Sequence, residues 1–256
     1  MSSITVRGHE AQVGSLRGEP GYRLLASVSV IVPVGPQELL WRDLLSCFAS
    51  LPIECEIWFV AAQDQPADFE EFLAKCGLER IVRWASVDVG RGSQMNAGAS
   101  LSTREFLWFL HADSKVSSEA ISALDKSLTA FPGAIHYFDL AFSEGSPIPT
   151  RLNAWGVWMR SHCLRLPFGD QGLCMSRDTF ALLQGFREEV PYGEDHLLIW
   201  AAHRKHILLR AVGAALTTSA RKYEANGWFS TTVHHLWRTW YQAIPQGVAL
   251  LWSRLR

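Results

Sequence analysis

Short runs of apolar residues alternate with segments of helical periodicity through the first half of the chain. The runs are rich in β-branched or aromatic side chains, which is typical of strands buried on both faces. The segments between them place apolar residues three or four positions apart, as on one face of a helix. The predicted strands cover residues 27–33, 57–60, 81–84 and 106–110, and the predicted helices between them cover 40–51, 69–76 and 94–102. Gly77 is predicted to end the second of these helices.

This order of strands and helices predicts a doubly wound, mostly parallel sheet with helices on both faces. Ligands of such sheets bind outside the carboxyl ends of the strands. The segments that follow Pro33, Val60 and Leu110 are therefore the candidate ligand-binding loops. The second half of the chain is more mixed, and its pattern predicts strands at 135–142 and 173–176, helices at 150–164 and 195–206, and an apolar run at 207–216. We expect these strands to add a small antiparallel part to the sheet.

The composition is that of one globular domain. The chain has 256 residues, of which 48% are hydrophobic and 19% charged, and its formal net charge is −1. This length supports one large core, and no stretch in the middle reads as a linker. Because there is no excess of positive charge, a nucleic-acid partner is not expected. We expect residues 1–24 to form a flexible extension, 25–216 the α/β domain and 217–256 a helical extension packed on the same domain.

The cysteines and the apolar runs indicate a cytoplasmic protein. Five cysteines, an odd number, are widely spaced along the chain, which favours buried thiols over a disulfide framework or a cysteine-based zinc site. They are Cys47, Cys55, Cys76, Cys163 and Cys174. No apolar run reaches the roughly 18 residues that span a bilayer, and residues 1–20 lack the apolar core of a signal peptide.

An aspartate follows the last predicted parallel strand. Asp113 should emerge at the carboxyl edge of the sheet, where one carboxylate can hold Mg²⁺ or Mn²⁺ if diphosphate oxygens and water complete the coordination. His111 is a candidate second ligand. The alternatives are an Asp113 that caps a helix or turn and a His111 that is a hydrogen-bonded packing residue.

A glycine-rich segment precedes this strand. In residues 90–99, Gly90 and Gly92 allow close approach of the backbone, Arg91 can bind phosphate bidentately, and a helix start favours an anion. The same residues also suit tight packing of a helix against a sheet. The segment is neither a Walker A loop nor a dinucleotide-binding fingerprint.

Two polar loops complete the candidate chemistry. In residues 168–172, Asp170 and Gln171 lie between glycines and could bind sugar hydroxyls, or could form an ordinary turn. In residues 191–195, Glu194 and Asp195 open a helix whose dipole stabilises negative charge. An ionised carboxylate there could act as a general base, although acids at a helix start are also common without a catalytic role.

Taken in order, these motifs resemble glycosyltransferase family 2 from about residue 27 to 247. The motifs are a first strand that ends at Pro33, Gly90-Arg91 with Gln94-Met95-Asn96-Ala97-Gly98, Phe109-Leu110-His111-Ala112-Asp113, Gly169-Asp170-Gln171-Gly172, Gly185-Phe186 and Glu194-Asp195. The resemblance implies a GT-A fold with its catalytic domain at 25–216, C-terminal amphipathic helices, and a nucleotide-sugar donor. Three signatures, Leu-His-Ala-Asp, Gly-Asp-Gln and 218–223, resemble a bacterial radical-SAM/selenodomain-associated subgroup assigned to arsenosugar biosynthesis.

The resemblance also implies a role for each matching residue. Asp113 would bind the metal and the diphosphate, with His111 in place of the first acid of the family's Asp-x-Asp motif. Asp195, next to Glu194, would be the general base that deprotonates the acceptor. The remaining implied contacts to the nucleotide or donor sugar are Pro33, Arg91, Asn96, Asp170 and Gln171. Such an enzyme would invert the anomeric centre, with Mg²⁺ or Mn²⁺ stabilising the leaving nucleoside diphosphate.

Two loops depart from the family pattern. The chain has Val34-Gly35-Pro36 where the family has Tyr-Asn or Leu-Asn, and it has 61–64 in place of an acidic block that reads the nucleotide base. Asp64 would restore that contact only through a shifted loop. The alternative function is therefore a catalytically inactive GT-A domain that acts as a nucleotide-sugar binding or assembly module. The acceptor, a small molecule or a lipid-linked one, is not indicated.

The end of the chain is rich in tryptophan. From residue 228 to 244 the apolar side chains fall on one helical face, which predicts an amphipathic helix. They are Trp228, Phe229, Val233, Leu236, Trp237, Trp240 and Ile244. With a basic surrounding sequence, this helix could make a peripheral contact with anionic lipid, pack over the catalytic domain, or join two subunits in a homodimer.

Overall fold

The computed structural model describes residues 5–7, 22–79, 81–142, 149–190 and 192–218. The strands are β1 (Thr5–Arg7), β2 (Val28–Val34), β3 (Glu56–Ala61), β4 (Val82–Ser86), β5 (Phe106–Phe109), β6 (Ser114–Lys115), β7 (Ile135–Phe142), β8 (Cys174–Ser176) and β9 (Leu209–Thr218). The helices are α1 (Trp41–Phe48), α2 (Phe69–Cys76), α3 (Arg91–Leu101), α4 (Ser118–Ala130), α5 (Pro149–Cys163), α6 (Arg177–Leu182) and α7 (Glu194–Arg204). Two single 3₁₀ turns lie at Leu25–Ser27 and Gly169–Gln171.

Within these residues the strands form one sheet in the order β1-β4-β3-β2-β5-β8-β7-β9-β6. β4, β3, β2 and β5 are parallel to one another, whereas β1 is antiparallel to β4 and β8 is antiparallel to both β5 and β7. The predicted mostly parallel sheet with a small antiparallel part is confirmed. The chain builds outward from β2 to β4 and then returns to the other side of β2 to form β5. The switch point between β2 and β5 is where a doubly wound sheet binds its ligand.

Two hydrophobic cores cover the two faces of the sheet. One core contains α1, α2 and α4, and the other contains α3, α6 and α7. β2 contributes to both, because Val28, Val30, Val32 and Val34 face the first core while Ile31 faces the second. Burial on both faces explains why the parallel strands read as continuous apolar runs and do not alternate.

The predicted elements are found to within about three residues at each end, an ordinary spread for such boundaries. Gly77 ends α2 in the left-handed conformation, with φ of 67°, as predicted. The pattern did not predict β1, β6, α4 or α6. β1 lies inside the segment 1–24 that was expected to be flexible, and it pairs with β4.

The Trp-rich segment predicted to form an amphipathic helix lies outside the described residues, as does most of the extension 217–256. Its proposed contact with lipid, the domain or a second subunit therefore stays a prediction. Among the described residues, no helix combines the length and the apolar character needed to cross a membrane.

Candidate active site

One buried glutamine fixes the carboxyl ends of β2 and β3. Gln94, in the first turn of α3, donates through Nε2 to the carbonyl oxygens of Val34 and Val60, both at 2.8 Å. Pro33, a predicted donor contact, lies partly buried beside Val34 and is paired in register with Val60. Gln94 therefore sets the spacing of the two strand ends at the switch point. The sequence placed Gln94 in a motif but gave no reason to assign it this bridge.

Arg91 begins α3 and reaches across the site to two acids. Its Nε lies 3.3 Å from Oε1 of Glu194, and its Nη2 lies 3.9 Å from Oδ2 of Asp195. Nη2 also contacts Nε2 of His111. The Arg91 side chain keeps 38% of its surface exposed, while those of Glu194 and Asp195 are 5% and 12% exposed. The structure thus brings together four residues that the sequence placed in three separate motifs.

The contact with Arg91 involves Nε2 of His111. A guanidinium group only donates hydrogen bonds, so Nε2 of His111 is the acceptor in this contact. The Nε2 lone pair is therefore engaged by Arg91. The predicted role of His111 as a metal ligand stays a prediction, and the contact places His111 where it can orient Arg91.

Asp113 lies where the sequence placed it, just after β5 at the carboxyl edge of the sheet. It is partly buried and lines a cavity of about 130 Å³. The other residues that line this cavity are Leu40, Asp43, Ala112, Ser114, Lys115 and Thr218. A carboxylate that meets a small cavity at the switch point can reach a metal or a phosphate.

The loop at residues 168–172, named here the active-site loop, is fastened to the start of α7. The N–H of Gly169 donates to Oδ2 of Asp195 at 2.5 Å, and the N–H of His196 donates to Oδ1 of Asp195 at 2.8 Å. A Cβ at position 169 would lie 2.5 Å from Nη2 of Arg91 and 2.7 Å from Oδ2 of Asp195. Only glycine fits there without moving a charged group, which explains the residue type in this motif.

Gln171 holds the active-site loop to the sheet. Its side chain is fully buried, donates to the carbonyl of Phe138 at 2.9 Å and accepts from Nη2 of Arg160 at 3.1 Å and from the N–H of Phe168 at 3.2 Å. The predicted contact of Gln171 with the donor sugar stays a prediction, and the geometry favours a positioning role. Arg160, which also stacks over the ring of Phe168, is a site residue that sequence analysis missed. Its helix carried no motif that pointed to it.

Asp170 lies among the charged groups of the site. Burial is the largest effect on its carboxyl and raises the pKa. The charges of Arg160 and Arg91 lower this pKa, and those of Asp195 and Asp113 raise it. Part of the residue surface is accessible, but Oδ1 is shielded and has no hydrogen-bond partner among the described residues. A shielded carboxyl oxygen without a hydrogen-bond donor destabilises the fold unless a ligand binds to that oxygen.

Glu194 is a second acid with a shielded carboxyl oxygen that lacks a hydrogen-bond partner among the described residues. Glu194 is 4% exposed. Burial raises its pKa, and the Arg91 guanidinium partly offsets this rise. Oε1 lies within ion-pair distance of Arg91 but makes no hydrogen bond with it or with another described residue. Glu194 is therefore a buried carboxyl that depends on Arg91 for its countercharge.

These charges fit a divalent cation. Four carboxyl groups, those of Asp113, Asp170, Glu194 and Asp195, share the site with the guanidinium groups of two arginines, so the carboxyls exceed the guanidinium groups by two when all are ionised. The shielded oxygen of Asp170 is a hard ligand of the kind that Mg²⁺ and Mn²⁺ prefer. No group of three or more candidate ligand side chains occurs in the described part of the chain. Phosphate and water oxygens would have to supply the remaining ligands.

Of two further predicted contacts, Asn96 is engaged within the protein and Asp64 is exposed. Asn96 donates to the carbonyl of Phe186 at 2.9 Å and to Glu188 at 2.7 Å, and accepts from the N–H of Phe186 at 2.9 Å. It therefore anchors the segment that leads to α7, and its predicted contact with the nucleotide stays a prediction. After β3, the carbonyl of Gln63 accepts from Trp84 and Ser86, while Asp64 is exposed.

Comparison of the sequence with protein-family models and with curated proteins gave no match. The structure is similar to solved structures of a mannosyltransferase and of S. aureus TarS. Against the mannosyltransferase PcManGT from Pyrobaculum calidifontis, in complex with GDP-Man and Mn²⁺, the TM-score is 0.62 at 16% identity, covering 86% of this chain and 64% of that chain. Against S. aureus TarS 1-349 in complex with UDP-GlcNAc it is 0.57 at 17% identity, covering 75% and 58%.

Full-length S. aureus TarS is covered over 36% of its length, with a TM-score of 0.58 at 16% identity. The chain thus spans less than two thirds of each of these proteins. At such identities the likeness concerns the fold. With the sheet order and the cores described above, it establishes that this chain has the expected GT-A-like fold.

Proposed function

We propose that this chain is a metal-dependent glycosyltransferase that moves a sugar from a nucleoside-diphosphate sugar to the hydroxyl of a small or lipid-linked acceptor. The observation that carries the proposal is the meeting of Asp113, Asp170, Glu194, Asp195 and Arg91 at the switch point of a GT-A-like sheet. The order of motifs that resembles family 2 supports the same function. The three signatures that resemble the arsenosugar subgroup would place the enzyme in arsenosugar biosynthesis. They are matches of sequence alone.

The structural neighbours support the donor class. TarS is solved with UDP-GlcNAc and with UDP, and PcManGT with GDP-Man and Mn²⁺. The net negative charge of the site gives a physical reason for a metal here as well, because a diphosphate would otherwise meet an excess of carboxylates. Asp113 and Asp170 are the residues that would hold it. A bound Mg²⁺ or Mn²⁺ supplies positive charge against the diphosphate oxygens.

Asp195 is the proposed general base. It lies in the first turn of α7, and the N–H groups of Gly169 and His196 fix its orientation. Each carboxylate oxygen retains lone-pair capacity for an acceptor hydroxyl. Asp195 would take the hydroxyl proton as the acceptor oxygen bonds to the anomeric carbon and the bond from that carbon to the diphosphate oxygen breaks. Attack from the face opposite the leaving group inverts the anomeric centre.

Nucleotide binding gives the first test. UDP or GDP with Mn²⁺ should raise the melting temperature, since a ligand at 100 times its Kd stabilises the native state by about 2.7 kcal/mol. Asp113→Ala should abolish the shift. The matched control is Asp43→Ala, which removes an exposed carboxylate that lines the same cavity and should leave the shift intact. Binding that is absent, or that is unchanged without metal, would overturn the proposal.

Turnover separates an enzyme from a silent binding module. UDP-GlcNAc and GDP-mannose with Mn²⁺ should release nucleoside diphosphate, and Asp195→Asn should lose this release while retaining the thermal shift. Nucleotide binding without release from a panel of donors and acceptors would favour the module. The altered loops after β2 and β3 are the feature that motivates this second candidate.

A further inference from the structure

Arg91 lies between two groups that would compete for it. On one side are the carboxyls of Glu194 and Asp195, named here the acid pair, at 3.3 and 3.9 Å. On the other side is the open start of α3, where no side chain caps the helix and where an anion is favoured. A guanidinium binds carboxylate and phosphate by the same fork of donors, so it can serve either group.

The contacts of Arg91 with the acid pair are loose. Both distances exceed those of close charge-assisted hydrogen bonds, and 38% of the side chain is exposed. The side chains of Glu194 and Asp195 are only 5% and 12% exposed, so solvent screens these contacts from the Arg91 side alone. A diphosphate with more negative charge and better geometry can therefore draw Arg91 away.

The acid pair does not need Arg91 to stay in place. Both oxygens of Asp195 accept backbone N–H groups, at 2.5 and 2.8 Å, and Glu194 belongs to the first turn of α7. Because Gly169 has no side chain, no Cβ lies against Nη2 of Arg91 and Oδ2 of Asp195. His111 contacts Arg91 from the end of β5, and Asp170 and Arg160 are the other charged groups nearby.

We propose that Arg91 is a counterion shared between the acid pair and the donor diphosphate: it contacts the acid pair in the free protein and transfers to the diphosphate when the donor binds. This inference rests on the proposed function and adds regulation to it. When Arg91 leaves, its contact with Asp195 at 3.9 Å is broken, and the carboxylate is open to the hydroxyl of an acceptor. The acid pair thus becomes available only once a donor is present, which favours binding of donor before acceptor.

The exchange predicts a specific coupling in the binding of UDP and GDP with saturating Mn²⁺, measured by calorimetry on the full chain. Glu194→Gln removes the ion pair that binding must break, so it should tighten nucleotide binding. Arg91→Gln removes the phosphate contact and should weaken it by about tenfold. The decisive quantity is the difference between the effect of Glu194→Gln in the wild type and its effect in Arg91→Gln.

We expect Glu194→Gln to tighten binding about threefold more in the wild type than in the Arg91→Gln background. The second background measures the repulsion between Glu194 and the diphosphate that persists without Arg91. Asp195→Asn, at the longer distance, should show the same sign with a smaller excess. Arg91→Met, which retains the length of the stem, replaces Arg91→Gln if that variant does not fold.

Several outcomes would overturn the exchange. Equal effects in the two backgrounds would mean that Arg91 keeps its partners on binding, and weaker binding by Glu194→Gln would mean that the acid holds Arg91 in place for the phosphate. The control pair is Arg187 and Glu189, which are 3.5 Å apart and both exposed, and whose neutralisation should leave affinity unchanged. Failure of UDP and GDP to bind the wild type would instead refute the proposed function itself, and with it the exchange.

Discussion

Replacement of Gly169 by alanine tests whether the active-site loop is built around the acid at the start of α7. The backbone at Gly169 is not in the left-handed region, so alanine brings no backbone strain. The added Cβ would lie 2.5 Å from Nη2 of Arg91 and 2.7 Å from Oδ2 of Asp195, whereas ordinary contact begins at 3.4 Å. One of these charged groups, or both, must move.

The two groups differ in what movement costs. Nη2 ends a long, partly exposed side chain and can shift freely, but Asp195 is held by two backbone N–H groups. Moving Oδ2 from 2.7 to 3.4 Å from the added Cβ lengthens the 2.5 Å hydrogen bond from the N–H of residue 169 to as much as about 3.2 Å and weakens it. A hydrogen bond to a charged group is worth about 1.5–3 kcal/mol, and a displacement near 1 Å at a catalytic group costs up to about 100-fold in rate.

We therefore expect Gly169→Ala to lower the free energy of unfolding by about 1–3 kcal/mol and kcat by about 10- to 100-fold. Urea unfolding measures the first, and release of nucleoside diphosphate from UDP-GlcNAc or GDP-mannose measures the second. Gly156→Ala is the matched control, since Gly156 lies within α5 with nothing within 4 Å of an added Cβ. It should stabilise the protein by about 0.5–1 kcal/mol. If both variants gain stability and retain turnover, the reasoning about Gly169 is refuted.

Three further predictions concern parts of the fold that support the site. Gln94→Leu should lower the free energy of unfolding by about 2–4 kcal/mol in urea, because it leaves two buried strand-end carbonyls without a donor. His136 is fully buried, and burial lowers its pKa from 6.5 to about 4. Its contribution to stability is therefore complete above pH 6.5 and is lost toward pH 4, about 2 kcal/mol by pH 5, and His136→Gln should flatten this dependence. Burial raises the pKa of the Cys55 thiol to about 12 and raises that of Cys174 as well, so a thiol reagent should label exposed Cys163 in the native protein and these two only after unfolding.

The missed helices show where local patterns were sufficient and where they were not. In α4, Ala120, Ile121, Leu124 and Leu128 are buried at helical spacing, and Ser117 caps the start by accepting from the N–H of Ala120. That signal was present in the sequence. α6 has six residues, and β6 has two, so neither offers enough positions for a periodicity to be recognised.

The partners of Arg91 were beyond the reach of the sequence. Its motif suggested phosphate, and the structure instead pairs it with Glu194 and Asp195 and with His111, which is 20 residues away. Pairing of charges depends on which loops the sheet brings together, and no spacing within one segment encodes it. The same holds for Arg160, which reaches the active-site loop from a different helix.

The sequence by itself determined the layered architecture and the edge of the sheet at which the site lies. Burial on both faces requires continuous apolar strands, and a strand that ends in Asp113 must present its acid at the carboxyl edge. Only the tertiary structure decided what each charged group does there. It engages His111 with Arg91, buries Gln171 as a brace and leaves oxygens of Asp170 and Glu194 without hydrogen-bond partners among the described residues. The physical reason is that the charge of a side chain, and the hydrogen bonds it has left to make, depend on its neighbours in space. Folding brings these neighbours from distant parts of the chain.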